Sequence, residues 1–102
     1  MIALRLVGRL ENFIPKLEKF KVEEGGGLSI VVFDGKDSIP IGPETSSFLK
    51  QVNGHLSLRE IFLFLNEKKL PFSIDKSLEM LTHFANQGSM LNADDFFQVM
   101  HG

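Results

Sequence analysis

The hydrophobic period of this chain changes once, at Gly42-Pro43, and that change constrains the fold more than any other feature. Before it, the apolar residues are spaced as in strands. Lys19-Phe20-Lys21-Val22-Glu23 alternates polar and apolar, the period of a half-buried strand. Leu28-Ser29-Ile30-Val31-Val32-Phe33 is rich in β-branched and aromatic residues, which suit a pleated surface. Ser38-Ile39-Pro40-Ile41 can form a short third strand. Gly25-Gly26-Gly27 and Asp34-Gly35-Lys36-Asp37 separate the three runs as turn signals, which predicts an antiparallel meander. Pro40 has no N–H to give to a ladder, so the third strand is expected at an edge.

After Gly42 the spacing is helical. Pro43 suits a first helical position, Phe48, Leu49 and Val52 share a face, and Gly54 is a stop. Ser57-Leu58-Arg59-Glu60 is a capping box, with Leu56 and Ile61 placed as its hydrophobic staple. Leu58, Ile61, Phe62 and Leu65 make the buried stripe of that helix, and Lys68-Lys69 followed by Pro71 ends it. Ser73 caps a third helix running to about Gln87, with Gly88 as a left-handed stop. Ile74, Leu78, Leu81 and Ala85 are its predicted inner face. Met90-Leu91 reads as a short strand or wing, and Asn92 as the cap of a last helix containing Phe96, Phe97, Val99 and Met100. The expected class is therefore α+β, a three-stranded antiparallel meander on a three-helix unit with a short C-terminal helix. Ahead of all this, Leu6, Leu10, Phe13 and Ile14 can share a helical face opposite Arg5 and Arg9. Such a segment would cover the core or mediate self-association, while two arginines are few for a membrane-surface helix.

At 102 residues the chain fits one domain, and it holds no cysteine, which removes disulfides and thiolate metal sites. No run resembles an export signal or reaches the roughly 20 apolar residues of a spanning helix, so a cytoplasmic location is expected. The net charge of −2 is uneven: residues 1–24 carry five Lys/Arg against four Glu, and the remainder six against nine acids. That balance offers little general attraction to phosphate.

Few residues suggest chemistry. The triple glycine opens a strand rather than a helix and lacks a Gly-Lys-Ser/Thr pattern, so it reads as a hairpin loop, not a phosphate cradle. His55, His83 and His101 are too far apart for the i, i+4 pair of a helical metal site. No G-x-S-x-G elbow exposes a serine. Glu23-Glu24 flanks the glycine loop, and Asp94-Asp95 suits the first turn of a helix. No catalysis, cofactor or metal is expected. Three helices after strands also suggest a DNA-reading winged helix, but the third carries Lys76 against Asp75 and Glu79, with only Asn86 and Gln87 able to read bases. The same helix places Met80 and Phe84 four residues apart, off the predicted inner face. Either the Phe96–Phe97 segment covers them or they line an apolar groove.

From about Pro15 to Leu91 the pattern resembles the PqqD-like family, the recognition element of ribosomal-peptide modification enzymes. The likeness rests on Ile41-Gly42-Pro43-Glu44-Thr45 leading into Phe48-Leu49, on Asn53-Gly54-His55-Leu56-Ser57-Leu58-Arg59-Glu60-Ile61, and on Leu81 through Gly88 to Leu91. It implies a winged-helix-like domain over 15–91, an N-terminal extension over 1–14 and a C-terminal helical segment over 92–102. It also implies that a peptide adds as a strand beside the third strand, against the third helix. By position this points to Ser38, Ile39 and Ile41 on the strand and to Lys76, Met80, His83 and Phe84 on the helix. The expected function is a non-catalytic peptide- or protein-binding adaptor. The alternatives are a winged-helix transcriptional regulator and a self-associating structural or regulatory domain of a larger signalling system, with a homodimer as its form.

Overall fold

The computed structural model describes residues 8–34 and 37–101. Three strands come first, β1 (Phe20–Gly25), β2 (Leu28–Phe33) and β3 (Ser38–Ile41), in an antiparallel sheet of order β1-β2-β3. Gly25 pairs with Leu28, leaving Gly26 and Gly27 as a two-residue turn with φ of +59° and +79°. Positive φ at both positions is what a type I′ hairpin turn requires, and glycine adopts it without strain. The meander is therefore as expected, and β3 is an edge. Of the second turn, Gly35 and Lys36 lie outside the described residues.

Four helices follow, α1 (Pro43–Gln51), α2 (Leu58–Glu67), α3 (Ile74–Asn86) and α4 (Ala93–His101). Pro43 opens α1, and Gly54 is left-handed at φ +83° beyond its end. The Asn53 side chain accepts from the N–H groups of His55 and Leu56 at 2.9 and 3.2 Å, which shapes the turn into α2. The capping box forms as read. Glu60 N–H donates to Ser57 Oγ at 3.2 Å, and Ser57 N–H donates to Glu60 Oε1 at 2.9 Å. The Ser57 N–H, and after it the Ser57 hydroxyl, hold the Glu60 carboxyl below the usual glutamate range. A further donor of that turn, Leu58 N–H, is taken by the Phe13 carbonyl at 2.9 Å. Leu58, Ile61, Phe62 and Leu65 are all fully buried, as the spacing predicts.

Two helices end in the same way. After α3, Ser89 N–H reaches the Phe84 carbonyl and Gly88 N–H the Ala85 carbonyl, with Gly88 at φ +76°. After α2, Leu70 N–H reaches the Leu65 carbonyl and Lys69 N–H the Asn66 carbonyl, with Lys69 at φ +58°. Both are Schellman motifs, but the second places a lysine where glycine is favoured.

One core joins all of these elements. Val31 and Phe33 of β2 meet the buried faces of α1, α2 and α3, with Phe48 stacked on Phe62 at 5.5 Å. Phe13 and Phe96 belong to the same cluster, their rings 5.5 Å apart, so the core crosses both boundaries drawn at 14/15 and 91/92. Of the proposed N-terminal helical face, Arg5 and Leu6 lie outside the described residues. Leu10 sits in a 3₁₀ turn (Gly8–Asn12) that ends before Phe13, so the face does not continue as an α-helix. Asn92 also departs from expectation. Its side chain turns away from α4, donating to the Ile14 carbonyl at 2.8 Å and accepting from Lys16 N–H at 3.1 Å. Together with the Leu17–Met90 bridge this stitches the entry of the chain to the segment before α4.

Candidate functional site

The free edge of β3 can be worked out from the ladder. Phe33 N–H donates to the Asp37 carbonyl at 2.9 Å, so Phe33 and Asp37 form a hydrogen-bonded pair. Pairs alternate along an antiparallel ladder. With Val31 opposite Ile39 and Ser29 opposite Ile41, those pairs bond, while Ser38 and Pro40 turn their backbone groups away from β2. The missing N–H of Pro40 therefore falls on the open side and costs the sheet nothing. That edge presents three groups, the N–H and C=O of Ser38 and the C=O of Pro40. Side chains alternate the other way, so Ile39 and Ile41 point to the core face and are half-buried there.

Helix α3 runs alongside. Lys76 Nζ meets Glu44 Oε2 at 3.0 Å, just past the end of β3, and Gln87 Nε2 donates to Asp37 Oδ2 at 3.3 Å, just before its start. The helix thus runs antiparallel to β3. Its Lys76-to-Gln87 length of about 16 Å, at 1.5 Å per residue, exceeds the roughly 10 Å of the four-residue strand, so its ends reach past those of β3. Lys76, Met80, His83 and Gln87 fall at i, i+4, i+7 and i+11, a single stripe. Both its ends are tied beside β3 by exposed side-chain bonds, while between them Met80 is buried on the inner face of the helix and His83 is exposed. Glu44 is held below the usual glutamate range, first by a bond from its own backbone N–H and then by Lys76.

Against this frame the seven residues expected at the site divide. Ser38 offers its backbone to the edge. Ile39 and Ile41 spend their backbone groups on β2 and contribute only side chains. Lys76 and His83 are exposed on the stripe, and Met80, 6% exposed, lies between them. Phe84 does not belong there. Its ring is 0% exposed and sits edge-on to Phe20 and Phe33, at centroid distances of 4.8 and 4.9 Å. The expected outward Met80–Phe84 groove lining is corrected accordingly: the sheet, not the Phe96–Phe97 segment, covers Phe84, and Phe96 packs on Phe13 instead. The inner face of α3 is rotated with it, to Ser77, Met80, Leu81, Phe84 and Ala85. Ile74 and Leu78 are only partly buried at its margin. Ser77 can turn inward because its hydroxyl donates to the Ser73 carbonyl at 2.7 Å.

Sequence reading missed Asp37, Glu44 and Gln87, which close the two ends of the strip. Only the stripe spacing from Lys76 to Gln87 could have flagged the last of them. The exposed side of α3 carries Asp75, Glu79, His83 and Asn86, with Lys76 engaged by Glu44. A phosphate backbone would meet two acids there and one occupied cation. Among the described residues no three His, Asp or Glu side chains converge as a metal site, and no helix is long and apolar enough to cross a membrane. Comparison with protein-family models, with curated proteins and with solved structures finds no match.

Proposed function

We propose that this chain is a non-catalytic peptide- or protein-binding module that takes an extended segment of its partner as an added strand beside β3. One observation carries the reading: by the register of the ladder the N–H and C=O of Ser38 and the C=O of Pro40 face away from β2 at the sheet edge, beside a helix α3 that side-chain bonds tie to residues just before and just past β3. Strand addition draws affinity from main-chain hydrogen bonds and specificity from the side chains met alternately on either face. Here one face of the added strand meets Ile39 and Ile41. The PqqD-like resemblance of residues 15–91 supports the same two elements. The acidic bias on the exposed side of α3 favours a protein partner over duplex DNA.

Selection from a displayed library of random peptides tests this. Selected peptides should shift the Ser38 amide resonance most, followed by neighbours along β3 and the α3 stripe. They should lose binding to Ser38→Pro, which deletes an edge donor without touching the β2 ladder. Binding that is indifferent to Ser38→Pro would remove the edge from consideration.

A further inference from the structure

We infer that Pro40 reserves the open edge of β3 for a strand of a different protein by denying it to a second copy of this chain. The argument starts from what each kind of partner can satisfy. An open edge is a ready template for pairing, and a copy of the same chain is always at hand. Two copies meeting there form an isologous contact about a twofold axis, so their β3 strands run antiparallel. Only Ser38 and Pro40 of each strand face the edge.

Within Ser38–Ile41 the two arrangements with most overlap place the axis at Ile39 or at Pro40. With the axis at Pro40, each proline carbonyl faces a ring nitrogen, and the central pair makes no bond. With the axis at Ile39, each Ser38 N–H reaches the Pro40 carbonyl across the axis. Each Ser38 carbonyl then faces a ring nitrogen and is stranded. A twofold axis at Ser38 overlaps that single strand residue alone. In both arrangements that bring Pro40 into the pairing symmetry doubles the defect, because the residue lacking a donor appears on both sides.

A foreign strand meets the proline only once. Running antiparallel, its residue opposite Ser38 exchanges both bonds, and its residue opposite Pro40 donates to the proline carbonyl. All three edge groups are then satisfied by a three-residue reach. The partner so defined is an extended segment with non-proline residues at those two positions. Between them it carries an apolar side chain, which lies on the same face of the sheet as Ile39.

The identity of that occupant rests on the strand-addition reading, but the barrier to self-pairing is tested on this chain alone, so the two fail separately. Dimerisation is measured by sedimentation equilibrium for the wild type, Pro40→Val, and Pro40→Val combined with Ser38→Pro. The wild type should be monomeric. Pro40→Val restores one donor per copy and should lower the dimer dissociation constant about thirtyfold, the equivalent of two net hydrogen bonds near 1 kcal/mol each. Adding Ser38→Pro should return the variant to monomer. Pro40→Thr provides the same donor on a more polar side chain, should valine cause aggregation, and should behave alike. A wild-type dimer lost on Ser38→Pro would overturn the inference. So would Pro40→Val and Pro40→Thr proteins that stay monomeric, or a variant dimer that survives Ser38→Pro.

Discussion

Replacing Phe84 with alanine would remove the ring on which α3 and the sheet meet. Phe84 is completely buried and makes edge-on contacts with Phe20 of β1 and Phe33 of β2. Truncation of a buried phenylalanine to alanine typically costs about 3–5 kcal/mol, the lost transfer energy plus the cavity left behind. The upper part of that range applies here, because two aromatic pairs go with the ring and such pairs are worth roughly 0.5–1.5 kcal/mol each beyond their area. A domain of this size has on the order of 5–15 kcal/mol in total, so the variant should keep about half of it. Urea denaturation followed by circular dichroism measures the loss as a lower midpoint at unchanged slope. His83→Ala, one residue away but exposed, should change stability by less than about 0.5 kcal/mol. A Phe84→Ala protein within 1 kcal/mol of wild type that had lost peptide binding would refute the packing argument. It would return Phe84 to the open strip beside β3.

Lys69→Gly should raise stability by roughly 1 kcal/mol in thermal or urea unfolding, since Lys69 holds φ +58° at the end of α2 and a side chain there is strained. Ser57→Ala should cost about 1 kcal/mol through loss of the α2 cap. Glu24, Glu44 and Glu60 all have folded pKa values below the ordinary range, Glu24 chiefly through Lys50, so the unfolded chain binds protons first as pH falls. Stability measured against pH should therefore be fully present above the ordinary glutamate range and decline through it, and Glu60→Gln should flatten part of that decline.

The residues that were legible in advance are those whose structure depends on near neighbours. The α2 cap needs only Ser57 and Glu60, three residues apart, and its buried face follows from the helical spacing of Leu58, Ile61, Phe62 and Leu65 behind that cap, with Leu63 and Phe64 left exposed. The strands were legible because glycine turns bracket them, and because a proline in β3 is tolerable only with its nitrogen facing outward. Helix α3 was not legible in the same way. It carries two apolar stripes, and spacing alone does not say which meets the sheet. The larger stripe, with Met80 and Phe84, went inward because Phe20 and Phe33, more than 50 residues earlier, form the aromatic seat that receives it.

The candidate site shows the same division. Ser38–Ile41 as an edge followed from Pro40 by itself, whereas the polar links that frame the strip, Lys76–Glu44 and Gln87–Asp37, join residues 32 and 50 positions apart. Asn92 makes the point most directly. Its sequence position suggests a helix cap, yet its amide bonds the backbone of residues 14 and 16. Either use satisfies the side chain, and the choice depends on a strand of chain brought alongside only when the core closes. Periodicity, caps and turns act over a few residues and so are written locally. Which apolar stripe is buried, and which polar group finds a distant partner, is decided by the competition among surfaces for one core.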